Sequence, residues 1–269
     1  MNMFIVDSEV FIRLGFFFGV FIFMAFWEVL VPRRALTKPK TTRWFNNLLL
    51  TFLNSILVRW IFPVTATGVA LLSRERGWGV FNMLETSHWT TGIIAIVVLD
   101  LTIYTQHVLF HKFPLFWRLH RMHHTDLDID VTTGARFHPV EIIISMGIKM
   151  AVILSLGAPA WSVLAFEVLL NATSMFNHGN VFMNQRFDGF LRTFLVTPDM
   201  HRVHHSVIMS ETDSNFGFNL PWWDRLFGTY RDQPASGHKD MSVGLANYRD
   251  LKWLTLPWML FVPLSDKYR

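Results

Sequence analysis

Residues 107–124 read HVLFHKFPLFWRLHRMHH and contain five histidines. The first two, His107 and His111, are four residues apart. The others of this pattern are His120, His123 and His124, and the same spacing returns at His201, His204 and His205. Eight of the twelve histidines therefore lie in three five-residue windows, where an even distribution would place roughly one.

The spacing of these histidines indicates metal binding. Helical residues three and four apart share a face, so each cluster can direct its imidazoles toward one point. Imidazole is a common ligand of iron, zinc, copper and nickel. Eight imidazoles exceed the four ligands of a tetrahedral zinc, which predicts two metal ions sharing the set. Histidines scattered over a solvated or membrane surface would account for one such cluster, but not for three.

The composition predicts a membrane protein with a polar cytoplasmic portion. Hydrophobic residues make up 51% of the chain, with 26 Phe and 11 Trp, and only 16% of residues are charged. Cysteine is absent, which excludes disulfides, iron–sulfur clusters and thiolate-bound zinc or haem. The net charge of +4 accompanies no nucleic-acid recognition motif, so we expect basic loops to face anionic lipid headgroups. The expected fold is all-α: a polytopic membrane helical protein with a cytoplasmic histidine-rich di-metal cap.

Two early apolar segments are predicted to span a membrane. The first covers about residues 10–31, and Arg13 and Glu28 near its ends can extend to the interface. The loop that follows is basic and contains no acid; its charged residues are Arg33, Arg34, Lys38, Lys40 and Arg43. Such an excess of positive charge indicates the cytoplasmic side. The second segment, about residues 48–72, is interrupted by Arg59 and Pro63 and is therefore predicted to bend.

A third span, about residues 90–110, returns the chain to the cytoplasm and brings His107 and His111 there. Asp100 and Tyr104 lie on the same helical face as these histidines. A polar stripe on an apolar helix is expected to face protein or a cavity. Asp100 and Tyr104 either form a structural hydrogen-bonded pair or orient a histidine ligand.

Two further apolar runs, within about residues 140–175, are interrupted by Gly157-Ala158-Pro159. Each is short for a complete span, so a tight re-entrant hairpin that enters and leaves on one side is predicted. His138 precedes the hairpin and His178 follows it. Both are therefore expected on the cytoplasmic side, with the three histidine clusters.

The remainder of the chain, after about residue 181, is more polar and is expected in the cytoplasm. Near its end, WLTLPWMLFVPL contains two prolines and is too short to span; we expect an interfacial segment with Trp253 and Trp258 at headgroup level. The predicted organisation is an N-terminal anchor with two spans (residues 1–90), a histidine-rich domain (91–235) and an interfacial tail (236–269).

With these motifs the sequence resembles the bacterial type of the fatty acid hydroxylase / sterol desaturase superfamily, which are membrane di-iron oxygenases. It supplies the family pattern HxxxH, HxxHH and HxxHH in order, and RFHPVE, NHGN, TPDMHRVHH, DSNFG and WWDRLFGTY are similar to further family motifs. The resemblance covers about residues 45–235. It gives the predicted histidine-rich domain a candidate identity.

The resemblance implies metal binding by the eight clustered histidines, namely His107, His111, His120, His123, His124, His201, His204 and His205. His178 resembles the family's additional ligand outside the boxes, and His138 is either a ligand or a hydrogen-bond partner of one. Asn215, in DSNFG, joins Asp100 and Tyr104 as a candidate for supporting the ligands. His88 and His238 are expected to be ordinary surface histidines.

The resemblance also implies an oxidoreductase that uses O2, two iron ions and two electrons to hydroxylate an unactivated C–H bond of a lipid. Zinc can replace the iron in purified protein. The lipid, which is fatty acyl, sterol-like or related, is expected to enter from the bilayer. Desaturation or ether-lipid monooxygenation on the same site are alternatives within this class. A membrane metal-binding protein without enzymatic activity is the alternative outside it.

The expected electron source is a separate cytoplasmic reductase, and the expected location is the bacterial inner membrane with the metal site on the cytoplasmic side. Arg186, Arg192 and Arg202 near the third histidine box form either a docking surface for that reductase or a face exposed to solvent or lipid headgroups. No nucleic acid partner is expected.

Overall fold

The computed structural model describes residues 2–84 and 86–266, with side chains from residue 8 onward. Within those ranges the fold is all-helical, as predicted, and contains no β-strand. In chain order the helices are α1 (Asn2–Leu30), α2 (Lys40–Ile61), α3 (Ala66–Arg76), α4 (His88–Lys112), α5 (Pro114–His124), α6 (Pro139–Leu156), α7 (Ala160–Asn177), α8 (Gln185–Leu191), α9 (Pro198–His204), α10 (Met209–Thr212), α11 (Trp222–Leu226), α12 (Gly237–Asp240) and α13 (Leu256–Phe261). Short 3-10 turns occupy Val80–Asn82, Thr133–Ala135, Leu251–Leu254 and Val262–Leu264.

Four helical segments are long and apolar enough to cross a membrane: Ser8–Leu30, Lys40–Asn82, His88–Lys112 and Pro139–Leu156. The second contains the predicted bend, because α2 ends at Ile61 and α3 begins at Ala66. Thr65 caps the new helix by accepting a hydrogen bond from the backbone N–H of Gly68. The break near Pro63 is therefore confirmed.

The predicted helical hairpin is present but is deeper than the sequence indicated. Helices α6 and α7 have 18 residues each, about 27 Å, which is close to the hydrocarbon thickness of about 30 Å. Gly157 ends α6 in the left-handed conformation (φ 69°). The rings of Trp161 in α7 and Trp89 in α4 lie 4.9 Å apart, so the turn reaches the level at which α4 begins. The prediction that each run is too short to span is wrong for α6, and the hairpin runs the depth of α4 instead of re-entering part-way.

The basic loop before α2 binds acidic residues of the protein. Arg43 is completely buried, and its guanidinium lies 2.7 Å from Asp126 and 2.5 Å from Asp130. Arg33 pairs with Asp199 at 2.9 Å. The expectation of lipid headgroup partners is therefore wrong for Arg33 and Arg43. Arg43 connects the start of α2 to the segment that follows the second histidine box, and Arg33 connects the loop to α9.

The C-terminal segment is also more buried than predicted. Trp253 is 3% exposed and packs with Leu50 of α2 and Met122 of α5, and its carbonyl accepts a hydrogen bond from Arg136. Trp258 remains 39% exposed. The prediction of headgroup placement is therefore wrong for Trp253, which helps to hold the histidine-bearing α5 against α2.

Arg13 and Glu28 of α1 do not extend to the membrane interface as predicted. Glu28 is buried, and its carboxylate accepts hydrogen bonds from the backbone N–H groups of Val131 and Asn180 (2.7 and 2.8 Å). Arg13 lies 2.5 Å from Glu167 of α7. Buried charges need partners, and both residues find them in other elements of the fold. Helix α1 therefore packs along α7 as part of the same helical bundle.

Candidate metal centre and lipid cavity

Two short helices present the second and third histidine boxes. Both begin with proline at the first helical position, Pro114 in α5 and Pro198 in α9, where the missing N–H leaves no intrahelical hydrogen bond unmade. Thr197 caps α9 by accepting a hydrogen bond from Met200 N–H at 3.3 Å. Each helix is short and ends at its histidines, so the second and third boxes both lie at helix C-termini.

The histidines form two buried groups. The first consists of His107, His111, His120, His124 and His204, and the second of His123, His178, His201 and His205. Within each group, one ring nitrogen of every histidine lies within 4.8 Å of those of the others. The structure thus brings together the eight box histidines and His178, from elements spread between residues 107 and 205.

Backbone carbonyls orient the imidazoles from outside. The hydrogen bonds run from Nδ1 of His107 to Phe216 O (2.7 Å), of His123 to Arg136 O (2.9 Å), of His178 to Ser174 O (2.7 Å) and of His204 to Ser214 O (2.8 Å). A carbonyl oxygen only accepts, so Nδ1 carries the proton in each ring. The lone pair of each Nε2 is therefore directed inward and is available to a metal ion.

The inward nitrogens crowd one another in a way that hydrogen bonding does not explain. Nε2 of His178 lies 3.1 Å from Nε2 of His123 and of His201, and 3.2 Å from Nε2 of His205. Since Nδ1 of both His123 and His178 carries the proton, their facing Nε2 atoms are both acceptors. A cation between these lone pairs would satisfy them together.

Several other buried ring nitrogens have no hydrogen-bond partner among the described residues: both nitrogens of His124, Nδ1 of His201 and His205, and Nε2 of His204. Leaving a buried polar atom unpaired costs about 1–3 kcal/mol. Burial lowers the pKa of His204 and His205 well below the usual value, and lowers the pKa of His178 to about 4. These rings are therefore neutral at physiological pH, which is the form that binds metal, and the two groups fit metal ions.

A cavity of about 480 Å³ extends from the first histidine group into the helical bundle. His107 and His120 line one end of it. Its apolar wall residues include Ile103, Phe110, Phe137, Met146, Leu170 and Phe218. A concave apolar site that ends at a cluster of polar ligands is the usual form of a small-molecule site.

Comparison with known proteins supports the resemblance that these motifs suggested. The sequence model of the fatty acid hydroxylase family matches residues 92–229, which contain every histidine of both groups. The chain belongs to the fatty acid hydroxylase family. The recognition of this family from the histidine boxes is therefore confirmed.

Curated relatives of this fatty acid hydroxylase family member are lipid-modifying enzymes. It is 29% identical to an ornithine lipid hydroxylase of Rhizobium tropici over 151 residues, which are 56% of this chain and 45% of the relative. It is also 29% identical to the alkylglycerol monooxygenase of Xenopus tropicalis (62% of this chain, 37% of the relative) and 30% identical to that of Homo sapiens (56% and 33%). The matches thus span less than half the length of these relatives. No solved structure matches the chain.

His138, a candidate metal ligand, lies outside both histidine groups. It caps α6, where its Nδ1 accepts a hydrogen bond from Val140 N–H (3.2 Å) and its Nε2 faces Leu260 O (3.4 Å).

Asp100 and Tyr104, the candidates for supporting the ligands, also lie outside both groups. Asp100 accepts hydrogen bonds from Asn219 and Trp223 (both 2.8 Å), and Tyr104 bonds instead to Thr229 (2.9 Å). Asp100 and Tyr104 therefore do not form a pair with each other in the described structure. Both hold residues 216–229 against α4, and this segment includes the carbonyl that orients His107.

Asn215 supports the histidines through the backbone. It is the one described residue other than glycine with a positive φ (53°), a conformation that asparagine tolerates better than most residues. Its side chain bonds to Met200 O and to both backbone groups of Arg231. The carbonyls on either side, those of Ser214 and Phe216, accept hydrogen bonds from His204 and His107. Asn215 thus positions both carbonyls at once.

Two carboxylates that contact candidate ligands were not predicted from the sequence. Glu141 lies 2.6 Å from Nδ1 of His120, and Asp213 lies 3.3 Å from Nδ1 of His111. Glu141 is the acid of RFHPVE, so an available signal was overlooked. The backbone carbonyls that orient the other histidines could not be predicted from the sequence, because every residue type carries a carbonyl.

Two expectations about the protein surface are also wrong. His238 is 6% exposed and lies 3.5 Å from Asp199, whereas His88 is exposed as predicted. Arg192 and Arg202 are buried in ion pairs with Asp188 and Asp199, so they cannot form a reductase-docking surface. Arg186 alone of that predicted set is exposed.

Replacing Glu141 with glutamine is expected to weaken metal binding about 10–100-fold, the usual cost of losing a partner of a ligand. The carboxylate that accepts the His120 proton would become a neutral amide, which lowers the basicity of the imidazole. Metal affinity measured by competition with a chelator tests this. Glu75→Gln makes the same exchange at an exposed residue of α3 and provides the matched control. Equal metal affinity in Glu141→Gln and the unaltered protein would contradict the role of Glu141.

Proposed function

We propose that the protein is a membrane-bound oxygenase that hydroxylates an unactivated C–H bond of a lipid with O2 and externally supplied electrons. The observation that carries this proposal is the cavity that leads from the apolar bundle to His107 and His120. A site that only stored or sensed a metal ion would have no need of such a cavity. The family and the names of its relatives support the same conclusion.

The metal ions of this proposal are two irons, one in each histidine group. The groups offer five and four nitrogen donors, and the set of five exceeds the four that zinc takes in structural sites. Imidazole suits iron, although zinc generally displaces ferrous iron from nitrogen ligands in overexpressed protein. Bound iron would supply the activation of O2. Two metals per fully loaded chain is the stoichiometry that elemental analysis should find.

The protein's own residues prepare the site for that chemistry. Carbonyl and carboxylate partners fix the orientation of the rings, so that little reorganisation is needed when ligands bind. Phe110, Phe137 and Phe218 line the cavity beside His107 and His120 and exclude water from a bound alkyl chain. The relatives are named hydroxylase and monooxygenase, which favours oxygen insertion over desaturation.

The test of this function is the lipid profile of cells that express the protein under isotope-labelled O2. Mass spectrometry should find a lipid that gains one labelled oxygen atom and that is absent from cells expressing His204→Ala. Cells expressing His88→Ala should match the unaltered protein, because His88 is exposed and lies outside both groups. A lipid profile that is the same with the unaltered protein and with His204→Ala would exclude the proposed activity.

We propose further that the histidine cap lies on the cytoplasmic side of a bacterial inner membrane, where a separate reductase supplies electrons. The chain has no cysteine, so single cysteines report its topology without interference. Glu75 and Ser236 are both exposed, and lie at the far end of α3 and beside the cap, respectively. A cysteine at Glu75 should react with an impermeant maleimide in intact cells, whereas one at Ser236 should react only after lysis. The reverse pattern would place the cap outside and remove the proposed electron source.

A further inference from the structure

A network of charged side chains lies among the membrane-spanning helices and lines the cavity. Arg13 of α1 lies 2.6 Å from Glu9 and 2.5 Å from Glu167 of α7. Lys149 of α6 also pairs with Glu167. Thr67 of α3 accepts a further hydrogen bond from Arg13 at 3.2 Å. Four helices therefore meet at one polar site within the apolar bundle, where charges are costly and usually serve a function.

The charged network lies away from the histidines along the cavity. Glu141, beside His120, and Lys149 are eight residues apart on α6, about 12 Å at ~1.5 Å per residue. Ser174, beside His178, and Glu167 are seven residues apart on α7, about 10 Å. The distances along α6 and α7 agree, so the cavity has a histidine end and a charged end roughly 10–12 Å apart.

Arg59 of α2 gives the charged end a surplus positive charge. The network contains two cations and two carboxylates, which are paired with one another and cancel. Arg59 lines the same cavity, and its side chain is exposed, as is that of Ser55 one helical turn earlier. No carboxylate pairs with Arg59 in the described part of the chain. An arginine in an apolar segment of a membrane protein requires an anion or access to water. Its guanidinium can bind a carboxylate or a phosphate in a bidentate manner.

We propose that the cavity binds an amphiphile with an anionic polar group, which Arg59 holds at the charged end while the alkyl chain extends toward His107 and His120. The opposite orientation would place an alkyl tail against five charged side chains and desolvate them without compensation. That the histidine end is where the chain reacts rests on the proposed function; binding at Arg59 does not. Since an extended chain advances about 1.2 Å per bond, the carbon nearest the histidines lies on the order of ten bonds from the anionic group.

The test measures binding directly, with the metal-loaded full-length protein in nanodiscs of phosphatidylcholine. The probes are radiolabelled palmitate, 1-palmitoyl lysophosphatidate and hexadecanol, which share one chain and differ in polar group. At least one anionic probe should bind at one site per chain about ten times more tightly than hexadecanol. Arg59→Gln should reduce that affinity to the level of hexadecanol. Arg74→Gln, which changes an exposed arginine on α3 outside the cavity, should have no effect. Palmitate and lysophosphatidate distinguish a carboxylate ligand from a phosphate ligand.

A second variant distinguishes the cavity from surrounding lipid. Ser55→Trp places a bulky ring on the exposed rim, so it should block the binding of all three probes without disturbing the buried core. Anion binding that needs Arg59 yet survives Ser55→Trp would place the anion on the lipid-facing surface and overturn the proposal. A preference for anions that survives Arg59→Gln would also overturn it. Oxidised lipid without selective binding would reject this site alone, whereas selective binding without oxidised lipid would reject the proposed function alone.

Discussion

His178→Ala is expected to abolish turnover and, on the proposed stoichiometry, to reduce the metal content from two ions per chain toward one. Nε2 of His178 lies within 3.2 Å of the Nε2 atoms of three other histidines, so it is the centre of its group. Its loss leaves only three imidazoles in that group, while the group of five is unchanged. Elemental analysis of the detergent-purified protein, together with lipid turnover in cells, measures both effects.

Two controls make this result specific to metal binding. His88→Ala changes an exposed histidine and should retain both metals and full activity. His138→Ala changes a buried histidine that caps α6 outside both groups, so it should lose some stability but keep its metal content. Metal loss in His138→Ala comparable to that in His178→Ala would show that the ligand set is larger than the two groups.

Met146→Trp is expected to abolish lipid oxidation while leaving the metal content unchanged. Met146 lines the cavity from α6 between Glu141 and Lys149, so an indole there would fill much of the apolar space between the charged end and the histidines. Overpacking of this kind typically costs about 1–3 kcal/mol, which a well-packed helical bundle can tolerate. Activity and elemental analysis of the same preparation separate blocked access from a damaged metal site.

Ser155→Trp is the matched control for this variant, because Ser155 is exposed on the same helix and does not line the cavity. It should behave like the unaltered protein in both measurements. Full lipid oxidation by Met146→Trp would show that the substrate reaches the histidines by another route.

Local sequence patterns predicted the elements of this protein better than the contacts between them. The i, i+4 spacing of His107 and His111 needs only a helix to be meaningful, and the helix is present. The burial of Arg43 depends on Asp126, which lies 83 residues further along the chain, and no local pattern reports that distance. The basic loop was therefore identified correctly as charged, but its partners were identified as lipid instead of protein.

The candidate site shows the same division. Every histidine of both groups was named from its box or its motif, because imidazoles at these spacings are rare. The orienting groups are mostly backbone carbonyls, such as Arg136 O and Ser214 O, whose position is set by tertiary packing. His238 was misplaced for a similar reason, since its burial against Asp199 arises only when the tail folds back. The division of the chain at residues 90 and 235 stays a prediction.

The order in which the histidines occur along the chain means that metal ions bound to both groups would act as cross-links. Each group draws its members from segments separated by up to about a hundred residues, from α4 to the end of α9 in one and from α5 to α9 in the other. Ions bound there would link segments that are far apart in the unfolded chain. Because the unfolded chain has no such sites, the free energy of metal binding would stabilise the folded form of the histidine-bearing segments, the cap. The membrane helices, by contrast, make their backbone hydrogen bonds within each helix and need no metal ion to form in the bilayer. The supply of metal in the cell would then determine how much of the inserted protein carries an ordered cap, and how much of it is open to proteases.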